Sequence, residues 1–127
     1  MHQKAALFRD NEKGQQILST TDPLTMKRLG RKVNGFDAKV WSGQCVNIVK
    51  RGFTAKFKQN PHLERALKET FPKILAKASP SDRLWGIGLG LQDKPQIRKT
   101  WRGKNRLGYL LTDVRNKIMS ENGMFNQ

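Results

Sequence analysis

The sequence predicts an α+β fold that is mainly α-helical, with about five helices and one short strand in a compact single domain. Three observations predict it. Apolar residues recur at spacings of three and four over most of the chain, the period of a helix with one buried face. Only Lys73 to Ala78 alternates with the period of a strand. The 127 residues are enough to bury one core, and no stretch has the composition of a linker.

Taken in order, Ala5, Ala6, Leu7 and Phe8 read as the second half of an amphipathic helix that opens with no capping residue before it. Asn11 to Leu18 forms a short second helix. Thr21-Asp22-Pro23 starts the third, because Asp22 caps it and Pro23 occupies a first-turn position that needs no N–H donor. That helix carries Met26 and Leu29 and stops at Gly30. Arg31 and Lys32 follow where the helix dipole favours cations, and the same pair also reads as a ligand contact.

Asp37 caps the longest helix, whose Val40, Trp41, Cys45, Ile48, Val49, Phe53 and Phe57 define one apolar stripe and mark it as the core helix. Its other face carries Lys39, Lys50, Arg51, Lys56 and Lys58, a solvated face or a polyanion surface. Asn60-Pro61 starts the next helix in the cap-plus-proline manner, with Leu63, Ala66, Leu67 and Phe71 on its buried side and Pro72 as its breaker. Ile74, Ala76 and Ala78 then alternate with Lys73, Leu75 and Lys77 as the strand. Gln92 to Thr100 is a polar connection with one helical turn after Pro95. In the last helix Leu107, Leu110, Leu111, Val114 and Ile118 are the buried stripe, and Asn105 is its cap. Its positive end, at Lys104 and Asn105, is an anion site. Ser120 to Gln127 is a flexible tail.

The chain holds 25 Lys and Arg against 10 Asp and Glu, a formal charge of +15 spread along its length. Such a field attracts polyanions: nucleic acid, phosphorylated ligands or an acidic surface. Cys45 is the sole cysteine, which excludes an internal disulfide and a cysteine-rich zinc site and suits a small buried residue. His2 and His62 have no metal-ligand spacing, so neither a metal nor another cofactor is expected. No apolar run reaches the roughly 18 to 20 residues of a membrane span, and no signal-peptide core follows the N-terminus. The expectation is a reducing compartment, the cytoplasm or an organelle matrix, with no membrane partner.

Periodicity explains least of the stretch Ala78-Ser79-Pro80-Ser81-Asp82-Arg83-Leu84-Trp85-Gly86-Ile87-Gly88-Leu89-Gly90. Three glycines alternate with apolar residues directly after an acid, a base and a tryptophan, where backbone must approach something closely. Asp82 is a hydrogen-bond acceptor or an acid–base group, and Trp85 offers a flat face. A tight turn with a capping Asp and a core Trp is the other reading of the same residues.

Several pieces together are similar to one family. They are Gln3-Lys4-Ala5-Ala6-Leu7-Phe8, Leu29-Gly30-Arg31, Lys56-Phe57 with Gln59-Asn60-Pro61, the Asp82-Arg83-Leu84-Trp85-Gly86-Ile87-Gly88 block and Trp101-Arg102-Gly103-Lys104-Asn105-Arg106-Leu107-Gly108. In this order they resemble the NADAR family, which includes the riboflavin-intermediate N-glycosidases. The resemblance implies a domain over residues 1–119, with 120–127 as the tail. It also implies a pocket for a ribose-phosphate ligand and hydrolysis of an N-glycosidic bond. The substrates implied are riboflavin-biosynthesis intermediates or ADP-ribosylated guanine in nucleic acid, so a phosphorylated ribosyl small molecule or an ADP-ribosylated nucleic acid is the expected partner. Cleavage of such a bond needs stabilisation of an oxocarbenium-like centre, a positioned water and protonation of the leaving base. Asp82 matches the family's motif acid and is the catalytic candidate. Lys4, Arg31, Trp85, Gly86, Gly88, Lys104 and Asn105 form the implied substrate-binding set.

Two departures accompany the resemblance. Family members carry a strand and a catalytic glutamate motif ahead of the equivalent of Gln3-Lys4, so the expectation is a chain truncated there relative to the family. Lys77 stands where the family usually has a glutamate, reversing a charge beside the loop. Two functions follow as expectations: an N-glycosidase if the upstream glutamate is present or replaced, or a catalytically degenerate basic module that binds RNA or DNA in a ribonucleoprotein through salt-dependent phosphate contacts.

Overall fold

A computed structural model describes residues 1–123 and contains six α-helices and two short 3-10 turns among them. The helices are α1 (His2–Leu7), α2 (Asn11–Leu18), α3 (Pro23–Arg31), α4 (Ala38–Lys58), α5 (Pro61–Glu69) and α6 (Arg106–Glu121). The turns are Leu91–Asp93 and Arg98–Thr100. The chain divides into two compact units, Met1–Val49 and Lys50–Gln127, with α4 running through the division. α6 includes Ser120 and Glu121, which were expected in the tail, and residues 124–127 of that tail lie outside the described residues.

The first unit is built by caps and a small core. Asp22 accepts from the Leu24 and Thr25 amides at 3.3 Å each, and Pro23 opens α3 as its spacing predicts. Asp37 accepts from the Lys39 and Val40 amides at 2.9 and 3.2 Å at the start of α4. Ala5, Ile17 and Val33 are buried together, with Phe8, Met26 and Leu29 packed on them. Asp10, which the sequence reading passed over, ties the unit. One carboxylate oxygen accepts from the Lys13 amide at 3.1 Å to cap α2, and the other accepts from the Asn34 amide at 2.8 Å, 24 residues away. α4 differs from the expected core helix, since of its apolar stripe only Cys45 is buried and Val40 is exposed. Periodicity identifies an apolar face without identifying what covers it.

In the second unit Leu67 is the one buried residue of α5; Leu63 is half-buried, while Ala66 and Phe71 are exposed. Asn60 stands at the α5 cap position, but its side chain donates to the Lys56 carbonyl at 2.6 Å instead of capping. α6 buries Leu110, Val114 and Ile118 as predicted, together with Met119 and Arg115, and leaves Leu107 and Leu111 half-buried. Burial holds the Arg115 guanidinium below its ordinary pKa. It is satisfied by donating to the Lys73 carbonyl at 2.6 Å, Thr70 Oγ1 at 3.0 Å and Asn116 Oδ1 at 3.0 Å.

The expected strand is corrected. Among the described residues none is in a strand; Lys73 is in a bend, and 74–78 have no regular secondary structure. Side chains of Thr112 in α6 and of Asn105 just before it take the place of most of a ladder. The Leu75 amide donates to Thr112 Oγ1 at 3.0 Å, the Lys77 amide donates to Asn105 Oδ1 at 3.0 Å, and Asn105 Nδ2 donates to the Leu75 carbonyl at 2.9 Å. The period-two pattern was real, but a ladder needs a neighbouring strand; here the Ile87 amide of the following loop donates to the Lys77 carbonyl at 3.0 Å, and side chains supply the other bonds just named.

Candidate functional site

The loop from Ser79 to Gly90 follows this irregular segment and folds around Asp82. Asp82 Oδ1 accepts from the Leu84 and Trp85 amides at 3.1 and 2.9 Å, closing a turn one residue type can close by itself. Asp82 Oδ2 accepts from Lys77 Nζ at 2.8 Å. The Lys77 ammonium and, after it, the two backbone donors hold the Asp82 carboxyl down to about 2, against the opposing effect of partial burial. At neutral pH this group is an anion that stabilises positive charge and has no proton to give.

A second segment locks the loop from outside. The amides of Arg102, Lys104, Asn105, Arg106 and Leu107 donate to the carbonyls of Ile87, Arg83, Gly86, Leu84 and Trp85 at 2.8 to 3.1 Å. Gly103 is required in this clamp, because a Cβ there would run into the Gly86 carbonyl and lie 2.9 Å from both Arg83 Cα and the Ile87 carbonyl carbon. Gly88 has φ of +71°, a conformation that costs a side-chain-bearing residue and costs glycine little. Gly86, Ile87, Gly88 and Leu89 are all buried, so the glycine-rich run is the packed inner layer of the clamp.

The sequence-derived residues fall into two groups. Asp82, Trp85, Gly86, Gly88, Lys104 and Asn105 meet in the second unit, through the turn and clamp just described. Trp85 is half-buried, and Lys104 is exposed with its amide bound to Arg83. Asn105 is fully buried at φ of +52°, with both ends of its amide engaged by Leu75 and Lys77. Its side chain therefore does not cap α6. The Arg106 and Leu107 amides at the start of that helix are taken by loop carbonyls, so these donors are not offered to an anion.

Lys4 and Arg31 belong to the first unit. Lys4 Nζ lies 4.6 Å from the Phe36 ring centre and 5.5 Å from that of Trp41, and Phe8 meets Phe36 edge-on at 5.3 Å. Burial first and the charge of Arg31 second lower the Lys4 pKa, and burial first and Lys4 second lower that of the Met1 amine. The unit thus gathers cations beside an aromatic wall. Among the described residues no group of three or more His, Cys, Asp or Glu could hold a metal ion. No described helix is long and apolar enough to cross a membrane.

Two features escaped the sequence reading. Asp10 stands immediately before a helix, a legible capping signal, but its second partner at Asn34 left no local trace. Arg98 carries the other, a cationic contact with Trp101 and Tyr109, and its only sequence signal is an arginine three residues before a tryptophan.

The family model described as "NADAR domain" matches residues 1–119. N-glycosidase R617 of Acanthamoeba polyphaga mimivirus is 40% identical over 116 residues, covering 91% of this chain and 68% of that protein. Protein irg-1 of Caenorhabditis elegans is 38% identical over 121 residues, covering 93% of this chain and 57% of its own length. N-glycosidase YbiA of Escherichia coli is 29% identical over 118 residues, with 93% and 68% covered. The clamp of Asp82 turn and glycine-bearing segment lies wholly within the matched span, and the chain belongs to the NADAR family.

Proposed function

We propose that this protein is an N-glycosidase that hydrolyses the bond between a base and a phosphorylated ribose, in a free riboflavin-synthesis intermediate or in ADP-ribosylated guanine. The observation that carries the reading is Asp82, ionised at neutral pH and held on a rigid turn within a family whose relatives bear the name N-glycosidase. An oxocarbenium-like transition state gains positive charge at the sugar, and a fixed carboxylate stabilises charge that develops there more than the neutral ground state. The pKa of Asp82 gives it this electrostatic role and assigns protonation of the leaving base to another group. Trp85 supplies a flat wall for the base and Lys104 an exposed cation for the phosphate. Asn105, Gly86 and Gly88 act from behind by fixing the loop.

Asp82→Asn tests the reading. The asparagine oxygen still accepts from the Leu84 and Trp85 amides, so the turn survives while the charge is lost. Base release from ribosyl-phosphate and ADP-ribosyl-guanine substrates, followed by chromatography, should fall by about a hundredfold or more. Unchanged turnover in a folded variant sinks the assignment.

One observation favours a second reading. Lys77 already neutralises Asp82 from 2.8 Å, and a spent carboxylate suits a catalytically degenerate module whose +15 charge holds RNA or DNA. That reading predicts nucleic-acid retention that falls steeply with salt, and no base release from the unaltered chain.

A further inference from the structure

The second unit contains a pocket of about 450 Å³ that none of the residues of the Asp82 turn lines. Ile74, Ala76 and Ala78, alternate positions of the segment before the Asp82 loop, line it together with the apolar Leu91, Pro95 and Trp101. Lys73, Arg98 and Gln96 supply its polar groups, and no acidic residue is in the lining. The size falls within the range of small-molecule sites, roughly 300 to 1,000 Å³, and the mixture of an apolar body with a few polar groups is what such sites have.

The flat wall and the charge are both held in place. Trp101 Nε1 donates to the Pro95 carbonyl at 2.7 Å, which fixes the indole. Arg98 Nη2 donates to the Tyr109 hydroxyl at 2.7 Å, and its guanidinium carbon lies 5.9 Å from the Trp101 ring centre and 5.4 Å from that of Tyr109. Tyr109 and Trp101 are themselves 6.4 Å apart. A guanidinium on aromatic faces keeps most of its donors for another partner, and among the described residues neither Arg98 nor Lys73 is in an ion pair. An apolar slot with an aromatic side and two uncompensated cations complements one chemical class.

We propose that this pocket binds a planar aromatic molecule carrying an anionic group, its ring between Trp101 and the Ile74-Ala76-Ala78 wall and its anion on Arg98 and Lys73. The site is independent of the glycosidase reading, since Asp82, Trp85 and Lys104 do not line it. Stacking and apolar burial hold the ring, and the charge-assisted hydrogen bonds select the anion.

Titration calorimetry on the full chain tests it with three probes: adenosine monophosphate, adenosine and ribose phosphate. Adenosine monophosphate should bind about tenfold or more tightly than either of the others, since each lacks one half of the recognised chemistry. Ala76→Trp fills the pocket and Arg98→Gln removes its charge; each should weaken that binding by about tenfold or more, while Lys50→Gln, a cation of α4 outside the lining, leaves it unchanged. Circular dichroism checks that Ala76→Trp folds, and the exposed Arg98 position supplies the second variant should it not. Failure of adenosine monophosphate to bind at millimolar concentration overturns the proposal. So does ribose phosphate binding as tightly as the nucleotide, or a loss that follows Lys50→Gln and ignores Arg98→Gln.

Discussion

Asp10 and Asp82 have the same number of oxygens and opposite freedom to act. Both carboxyls titrate below their ordinary range, and the causes differ in order: the Asn34 and then the Lys13 amides for Asp10, the Lys77 ammonium first for Asp82. Asp10 is buried and spends each oxygen on a backbone donor, one of them 24 residues distant. Asp82 spends only Oδ1 on backbone; Oδ2 faces a lysine whose side chain is 41% exposed. A backbone amide cannot leave, whereas an exposed ammonium on a flexible stem can swing away. The first carboxylate is a fastener, and the second is a fastener whose Oδ2 is held by a side chain that a ligand can displace.

The largest expected effect comes from breaking the clamp that holds the Asp82 turn. Gly103→Ala drives a methyl into the Gly86 carbonyl and against the backbone of Arg83 and Ile87, none of which is the yielding end of a side chain. It should destabilise the protein by about 3 kcal/mol, read as a lower midpoint in urea unfolding. A midpoint unchanged by this variant would mean that the five clamp hydrogen bonds do not hold the loop.

Asparagine at each aspartate sharpens the comparison. At position 10 the new amide nitrogen faces one of two backbone N–H donors, donor against donor in a buried place, so Asp10→Asn should lower Tm by several degrees. At position 82 the oxygen keeps both amides and the nitrogen faces Lys77, which moves into solvent, so Asp82→Asn should lower Tm by much less. Equal losses in thermal scans would refute the distinction.

Acid separates the two carboxylates further. The folded pKa of Asp82, about 2, lies below the ordinary value near 3.9, so its stabilising contribution is complete above about pH 4 and is lost as pH falls toward 2. Lys77→Met removes the leading cause and keeps the backbone donors. The carboxyl pKa should then rise toward its ordinary value, and the acid-induced loss should begin at higher pH. Carboxyl-carbon NMR titration of both forms reads this directly, and the Asp10 titration should be the same in each, because no ammonium leads its shift.

Local chemistry made much of the fold legible. Asp22 with Pro23, Asp37, and the α6 stripe of Leu110, Val114 and Ile118 each depend on residues within a turn or two, and each stands where spacing places it. What failed depended on partners far along the chain. Lys73 to Ala78 alternates as a strand does, but its pairing groups come from the Ile87 amide and the side chains of Asn105 and Thr112, and nothing local announces that these will take a strand's place. Asn105 reads as a cap for the same reason, since a short amide before a helix looks alike whether it turns toward the helix or away from it. At the candidate site, Asp82 and its glycines were legible as a turn, while the segment that grips it does so through backbone amides, which carry no sequence code apart from the glycine that makes room.

The smallest effect belongs to a third carboxylate. Glu121 is also held below its ordinary range, by its hydrogen bond from Lys58 first and by the charge of that lysine next. The contact is 2.9 Å, close to the 2.8 Å of Asp82 with Lys77, but its side chains are 49% and 44% exposed, and its lowered pKa has no backbone donor among its causes. Holding two long side chains together in water costs entropy that offsets most of the attraction, and salt screens what is left. Glu121→Gln should therefore leave Tm within the error of the measurement at moderate salt and lower it slightly at low salt. A loss as large as that of Asp10→Asn would show that the lysine, rather than the backbone donors, makes a carboxylate matter in this protein, and the ranking of Asp10 over Asp82 would fall with it.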